Sequence, residues 1–156
     1  GYLSVIDRIR SIFKLAQGEY VAAELLSEIY QAIPLVDQIF VYGDSKRTFL
    51  VAIVVPNRAK TSEFVGHDLS DEEFNKICSS NNKELCDEIR KQLDEVANAK
   101  KLPGYEKIKG IALESEEWTV ANDLQTPTFK LKRKKLAEKY QDVIERLYTE
   151  INQQNL

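Results

Sequence analysis

Phe49-Leu50-Val51-Ala52-Ile53-Val54-Val55 contains no polar side chain and is closed by Pro56-Asn57. The run is short for a helix and rich in β-branched residues, so it reads as a central strand buried on both faces, with helices covering at least one of them. Upstream, Leu35 to Tyr42 is a second run of β-branched and aromatic residues. Gly43-Asp44-Ser45-Lys46-Arg47 between the two has the length and chemistry of a hairpin loop. Downstream, Lys107 to Leu113 alternates, which places Ile111 and Leu113 on one face and Ile108, Gly110 and Ala112 on the other. It is expected as a third strand, reached by a helical crossover.

Helices fill the intervals. Val21, Leu25, Ile29 and Ile33 recur at helical spacing up to Pro34, and residues 58–66 suit a short helix. Ser70-Asp71-Glu72-Glu73 has capping-box spacing and opens a helix through Phe74, Ile77 and Cys78. Leu85, Ile89, Leu93 and Val96 form the stripe of a helix from about Asn82 to Ala99, stopped by Leu102-Pro103-Gly104. One helix from Lys132 to Asn152 is expected at the end, with Leu136, Tyr140, Val143, Ile144, Leu147, Tyr148 and Ile151 as its core face. At the start, residues 2–6 and 11–16 are apolar runs separated by Asp7-Arg8-Ile9-Arg10, which suggests an antiparallel hairpin or a strand with a polar elbow. Gln17-Gly18-Glu19 is expected to follow as a turn. The sum is an α/β (α+β) domain: a small three-stranded sheet flanked by helices, preceded by an N-terminal β-hairpin and ended by a long C-terminal helix.

At 156 residues the chain is the size of one domain. With 43% apolar and 30% charged residues it is expected to fold, and no apolar run approaches the roughly 20 residues of a membrane span. A net charge of -3 gives no global bias toward nucleic acid. Cys78 and Cys86 are too few for a disulfide framework and lack metal spacing, so they read as reduced thiols. His67, the single histidine, follows Gly66 in a loop, and no zinc set assembles around it. Glycine-rich phosphate loops, a GxSxG elbow and calcium loops are absent from the sequence, so self-contained catalytic chemistry has few residues to run on. No stretch has the pattern of a signal peptide, and the abrupt opening at Gly1-Tyr2-Leu3 reads as a segment of something longer.

The polar stretch Gln125-Thr126-Pro127-Thr128-Phe129-Lys130-Leu131-Lys132-Arg133 is the strongest functional candidate. Pro127 forces Thr126 to be extended, so Lys130 sits near a loop tip. Lys130, Lys132, Arg133, Lys134 and Lys135 crowd a helix start, where the macrodipole disfavours positive charge. Helix stability would not have chosen them. A lysine beside hydroxyls and backbone N–H groups suits a phosphate-like anion.

Residues 6–21, with the block Ile12-Phe13-Lys14-Leu15-Ala16-Gln17-Gly18-Glu19-Tyr20-Val21, resemble the hinge segment of eukaryotic long-chain acyl-CoA synthetases, members of the adenylate-forming superfamily with firefly luciferase and acetyl-CoA synthetase. Val36 to Gly43, Leu124 to Arg133 and the final helix resemble the carboxy-terminal subdomain of the same family, so that nearly the whole chain is covered. The resemblance implies residues 1–10 as hinge segment and start of the hairpin, and residues 11–156 as the mobile lid of a ligase whose ATP- and fatty-acid-binding amino-terminal domain is absent. It implies that Lys130 reaches the acyl carboxylate and the α-phosphate region of the acyl-adenylate, and that Arg8 contacts the ribose. Asp7 and Arg10 would be hinge residues, and Gly18, Glu19 and Tyr20 would line the pantetheine channel after rotation.

By the same resemblance the substrates are a fatty acid, ATP and CoA, with Mg2+ bound through the absent domain, no metal site here and no cofactor expected in the fragment alone. The partner is the chain's own amino-terminal adenylation domain, nucleic acid is not a partner, and the full-length protein is placed on the cytosolic side, peripheral to the endoplasmic reticulum or another organelle membrane. Two departures stand out. Phe129 occupies a position where many relatives in the superfamily carry glycine, although phenylalanine is usual in the long-chain eukaryotic branch that the chain resembles, and Ala23 one where proline is common. The rival reading is a non-enzymatic module that uses Lys130 to Lys135 to meet an anionic membrane or a protein.

Overall fold

The computed structural model describes residues 12–154. The elements follow in the order Ile12–Lys14 (β1), Tyr20–Ala22 (β2), Ala23–Tyr30 (α1), Val36–Tyr42 (β3), Leu50–Pro56 (β4), Arg58–Val65 (α2), Asp71–Ser79 (α3), Lys83–Ala99 (α4), Ile108–Leu113 (β5), Arg133–Lys139 (α5) and Gln141–Gln154 (α6). The apolar run is the middle strand of a sheet ordered β3-β4-β5, antiparallel to β3 and parallel to β5. Every residue of β4 is buried. Leu50, Ala52 and Val54 face one core with α1, α3 and α4, and Val51, Ile53 and Val55 face a second core with α5 and α6. Leu85, Ile89 and Leu93 of α4 are at most 1% exposed, and burial of each such side chain contributes about 1.5–3 kcal/mol.

The outer strands depart from strict alternation. The register shifts between Leu50/Ile108 and Val51/Gly110, so Lys109 is the extra residue of an irregularity. Ile108 consequently joins Ile111 and Leu113 in the first core, not the face of Gly110 and Ala112 that alternation predicts. A matching shift at Asp37 puts Val36 in the first core and leaves Gln38 beside Phe40 on the second face. At Gly110 a Cβ would lie 2.5 Å from Ile151 Cδ1, so the missing side chain lets α6 close on β5.

An N-terminal antiparallel hairpin is present, and the expected arm 11–16 supplies one of its strands. Residues 2–6, its expected first arm, lie outside the described residues. The described arm β1 pairs with β2, with Phe13 opposite Val21, and Gly18 sits in the turn between them at φ 96. The expected helix from Val21 therefore starts only at Ala23, and Val21 is a strand residue in the core. A three-residue strand is too short to show a period of two, so the helical spacing of Val21 and Leu25 was coincidence; Leu25 is 58% exposed. Ala23 is the first helical residue, a position that accepts proline.

The final helix is also interrupted. Tyr140 leaves helical geometry at φ -105 and ψ 17, dividing the expected single helix into α5 and α6 while the bonds Tyr140 N to Leu136 O and Ile144 N to Tyr140 O continue across the joint. The capping box forms as expected, with Glu73 N donating to Ser70 Oγ. Cys78 and Cys86 are free and lie on separate helices, and burial pushes their thiols up to about 12 and about 11. His67 is exposed and meets Glu73 at 3.0 Å.

Candidate functional site

The stretch from Gln125 to Leu131 folds as a finger. Gln125 and Leu131 form an antiparallel bridge at its base, and Lys132 N donates to Leu124 O at 3.0 Å. Thr126 organises the tip: its N–H donates to Lys130 O at 2.7 Å, its carbonyl accepts from Phe129 N at 2.8 Å, and its hydroxyl accepts from Lys130 N at 3.1 Å. Gln125 Nε2 adds a bond to Phe129 O at 3.3 Å. These bonds hold Phe129 at φ 64, a left-handed conformation that costs a non-glycine residue about 1–2 kcal/mol. The residue before Lys130 thus has a backbone conformation that favours glycine. Lys130 is exposed.

The finger stands on a buried base. Trp118, 1% exposed, exchanges two bonds with Gln38: its N–H donates to Gln38 Oε1 at 2.8 Å, and Gln38 Nε2 donates to Trp118 O at 2.9 Å. The Trp118 indole N–H donates to Tyr140 OH at 2.9 Å, and that hydroxyl donates to Glu114 Oε1. Leu124 N and Gln125 N then donate to Thr119 O at 3.1 and 3.2 Å. A loop of polar composition is therefore tied to the sheet at both ends of its aromatic anchor.

The cationic cluster is not a continuous patch. Lys132 and Lys135 both form ion pairs with the Asp123 carboxylate. Arg133 turns inward, donating to the Val41 carbonyl and stacking with its guanidinium 4.8 Å from the Phe40 ring centroid. Burial lowers its pKa to about 10, partly offset by the charge of Glu24, so it stays a cation at neutral pH. Lys132 and Lys135 share the single Asp123 carboxylate and Arg133 is turned into packing, while Lys130 on the fingertip and Lys134 on the first turn of α5 are both exposed.

Lys130, Phe129, Leu131, Gln125 and Arg133 line one side of a recess of about 170 Å³, closed by Glu24, Ser27 and Glu28 of α1, by Gln31 just after it and by Gln38 and Ile39 of β3. The turn at Gly18 docks elsewhere, with Ala16 N donating to Arg47 O at 2.9 Å and Gln17 Nε2 to Thr48 O at 3.0 Å. Leu15 N closes that turn on Glu19 O at 2.8 Å, and Tyr20 is 65% exposed beside the Lys14 ammonium. Lys130 and Gly18-Glu19-Tyr20 thus sit on different supports. Arg8, Asp7 and Arg10 lie outside the described residues. Among the described residues, no group of three or more His, Cys, Asp or Glu side chains is placed to hold a metal ion, and no helix is long and apolar enough to cross a membrane.

Two positioning features escape sequence reading. Asp123 carries no pattern that marks it, and its role appears only when φ 65 turns it toward the two lysines. Trp118 did carry a signal: a lone tryptophan in a polar loop must bury its ring and satisfy its N–H.

The fold has solved counterparts among adenylation domains of the adenylate-forming superfamily. The chain is similar to the adenylation domain of a Mycobacterium chelonae carboxylate reductase, at 35% identity and TM-score 0.76, over 91% of this chain and 20% of that one. It is similar as well to the A domain of the Segniliparus rugosus carboxylic acid reductase, solved with AMP and a co-purified carboxylic acid, at 28% identity and TM-score 0.77, over 92% of this chain and 20% of that one. No family model matches the chain.

Its homologues by sequence are long-chain acyl-CoA synthetases. Fatty acyl-CoA synthetase A of Dictyostelium discoideum is 45% identical over 155 residues, 96% of this chain and 23% of that protein. Long chain acyl-CoA synthetase 2 of Arabidopsis thaliana is 40% identical over 151 residues, 96% of this chain and 22% of that protein, and long-chain-fatty-acid–CoA ligase 1 of Cavia porcellus is 38% identical over 151 residues. The chain spans between a fifth and a quarter of the length of these relatives.

Proposed function

We propose that this chain is the carboxy-terminal lid of a long-chain fatty acid–CoA ligase. In such a ligase the fatty acid carboxylate displaces pyrophosphate from the α-phosphorus of ATP to give an acyl-adenylate, and the CoA thiol then displaces AMP to give the acyl-CoA thioester. Residues 1–10 act as the hinge segment and the remainder as the lid, working against an amino-terminal domain that binds ATP, Mg2+ and the acid. The observation that carries this reading is Lys130 at the tip of a finger braced by Thr126, in a chain whose homologues are acyl-CoA synthetases.

The chemistry needs such a cation. Attack of a carboxylate on phosphorus brings two anions together, and like charges 4 Å apart repel by about 4 kcal/mol at an effective dielectric near 20. An ammonium delivered between them offsets that repulsion, and because the finger is already folded it costs little reorganisation at the moment of reaction. Arg8 contacts the ribose in the adenylating orientation. After rotation about Asp7 to Arg10, the Gly18-Glu19-Tyr20 turn, which stands on a different support from Lys130, lines the path of the pantetheine arm. Two faces on one rigid body fit a lid that serves two half-reactions. The full-length ligase works on the cytosolic side, peripheral to the endoplasmic reticulum or another organelle membrane.

The test is to incubate this chain with ATP, a long-chain fatty acid and CoA, alone and joined to the larger domain encoded with it. Acyl-CoA is expected only from the joined protein. Acyl-CoA formation by the chain alone would overturn the reading.

A further inference from the structure

Phe129 has the greatest exposure of any large apolar side chain described, at 77%. Its backbone occupies φ 64, where a bulky residue is an outlier. Solvation would favour a polar residue there, and the dihedral would favour glycine or asparagine. Neither core packing nor local folding explains a phenylalanine. Hydrogen bonds from Phe129 N to Thr126 O and from Gln125 Nε2 to Phe129 O nevertheless keep the conformation, and strain maintained in this way concentrates at functional positions. The ring shares one recess with Lys130; the apolar side chains Ile39 and Leu131 line it too, and the carboxylates Glu24 and Glu28 stand across from them on α1 with Arg133 as a second cation. An ammonium and an aromatic ring on consecutive residues at one recess suit a ligand that is anionic at one end and hydrocarbon next to it.

We propose that Phe129 is a specificity-determining residue for adenylation, its ring covering the methylenes beside the carboxyl group that Lys130 meets. This assignment rests on the catalytic reading of Lys130. Covering those methylenes removes apolar surface from water on both partners, whereas a hydroxyl at the third carbon would lose its hydration with no partner supplied by the ring. The ring therefore discriminates against acids that are polar near the carboxyl end.

The experiment uses the full-length ligase with Phe129→Gly, Phe129→Ser and Phe129→Leu, assayed by ATP–pyrophosphate exchange with a saturated long-chain acid and its 3-hydroxy analogue. The parent enzyme is expected to prefer the unsubstituted acid by roughly tenfold or more in kcat/KM. Phe129→Gly and Phe129→Ser cut that preference by about threefold or more, Phe129→Leu retains it, and the KM for ATP is unchanged in all three. The side chain is exposed and glycine fits the dihedral, so the variants are expected to melt as the parent does or higher. An unchanged preference in the Gly and Ser variants overturns the proposal. A uniform fall for both acids would assign the ring to a wall of the neighbouring domain instead and overturns it too. Lys130→Ala run alongside separates the two claims: lost exchange in Lys130→Ala together with an unchanged preference in Phe129→Gly and Phe129→Ser sinks the Phe129 assignment alone, and retained exchange in Lys130→Ala sinks the reading of Lys130 on which it rests.

Discussion

The indole N–H of Trp118 donates to the Tyr140 hydroxyl at 2.9 Å, joining the loop that carries Lys130 to the joint between the last two helices. Tyr140 in turn donates to Glu114 at the end of β5. Tyr140→Phe keeps the ring against Trp118 but leaves the buried indole N–H without its acceptor. A loss of about 1–3 kcal/mol in urea unfolding is expected. An unchanged midpoint would mean that the hydroxyl does not brace the loop.

Phe129→Asn removes the left-handed strain without adding the backbone freedom that glycine brings. Relief of about 1–2 kcal/mol is weighed against little loss, since the ring is 77% exposed, so the variant is expected to be more stable by about 1 kcal/mol. Thermal melting checks the sign, and a lower melting point would show that the ring packs on the folded chain.

At Gly43 a Cβ would lie 2.7 Å from Leu50 Cδ2 and from Phe13 Cε2, where the hairpin meets the sheet. Gly43→Ala is expected to cost about 1–3 kcal/mol, because two side chains must move in a packed junction. Hydrogen exchange of the β1–β2 amides locates the damage. Protection loss confined to other strands would contradict the placement of the hairpin on Gly43.

Glu117 shares a hydrogen bond with the Asp37 carboxyl, and that bond, together with the charge of Asp37, raises its pKa. A carboxyl with a raised folded-state pKa gives stability that is present below the ordinary carboxylate range and lost as pH rises through the raised value. Glu117→Gln abolishes the titration and keeps a donor for Asp37. The variant is therefore expected to gain melting temperature over the parent as pH rises through that window, then hold a constant lead. A lead that is independent of pH would rule the pair out as its source.

The sheet and its buried centre were legible because β4 is uniformly apolar and β-branched, and a long stripe such as Leu85, Ile89 and Leu93 has room to declare its period. The irregularities at Asp37 and Lys109 were not legible, since one inserted residue leaves composition untouched while moving Val36 and Ile108 to the other face. Neither was the hairpin pairing, where three-residue strands carry almost no pattern. At the site, Pro127 and the cluster of lysines pointed to Lys130, but the same cluster suggested a broad basic surface. The structure narrows that surface through Asp123 and through the inward turn of Arg133, both of them contacts no spacing rule encodes.

The most direct measurement compares the two half-reactions of the full-length ligase carrying Lys130→Ala. ATP–pyrophosphate exchange is expected to fall by about a hundred- to a thousandfold, as removal of one preorganised charge-stabilising group does, while CoA thiolysis of preformed acyl-adenylate stays near the parent rate. Exchange at the parent rate, or equal loss in both half-reactions, would contradict the role given to Lys130.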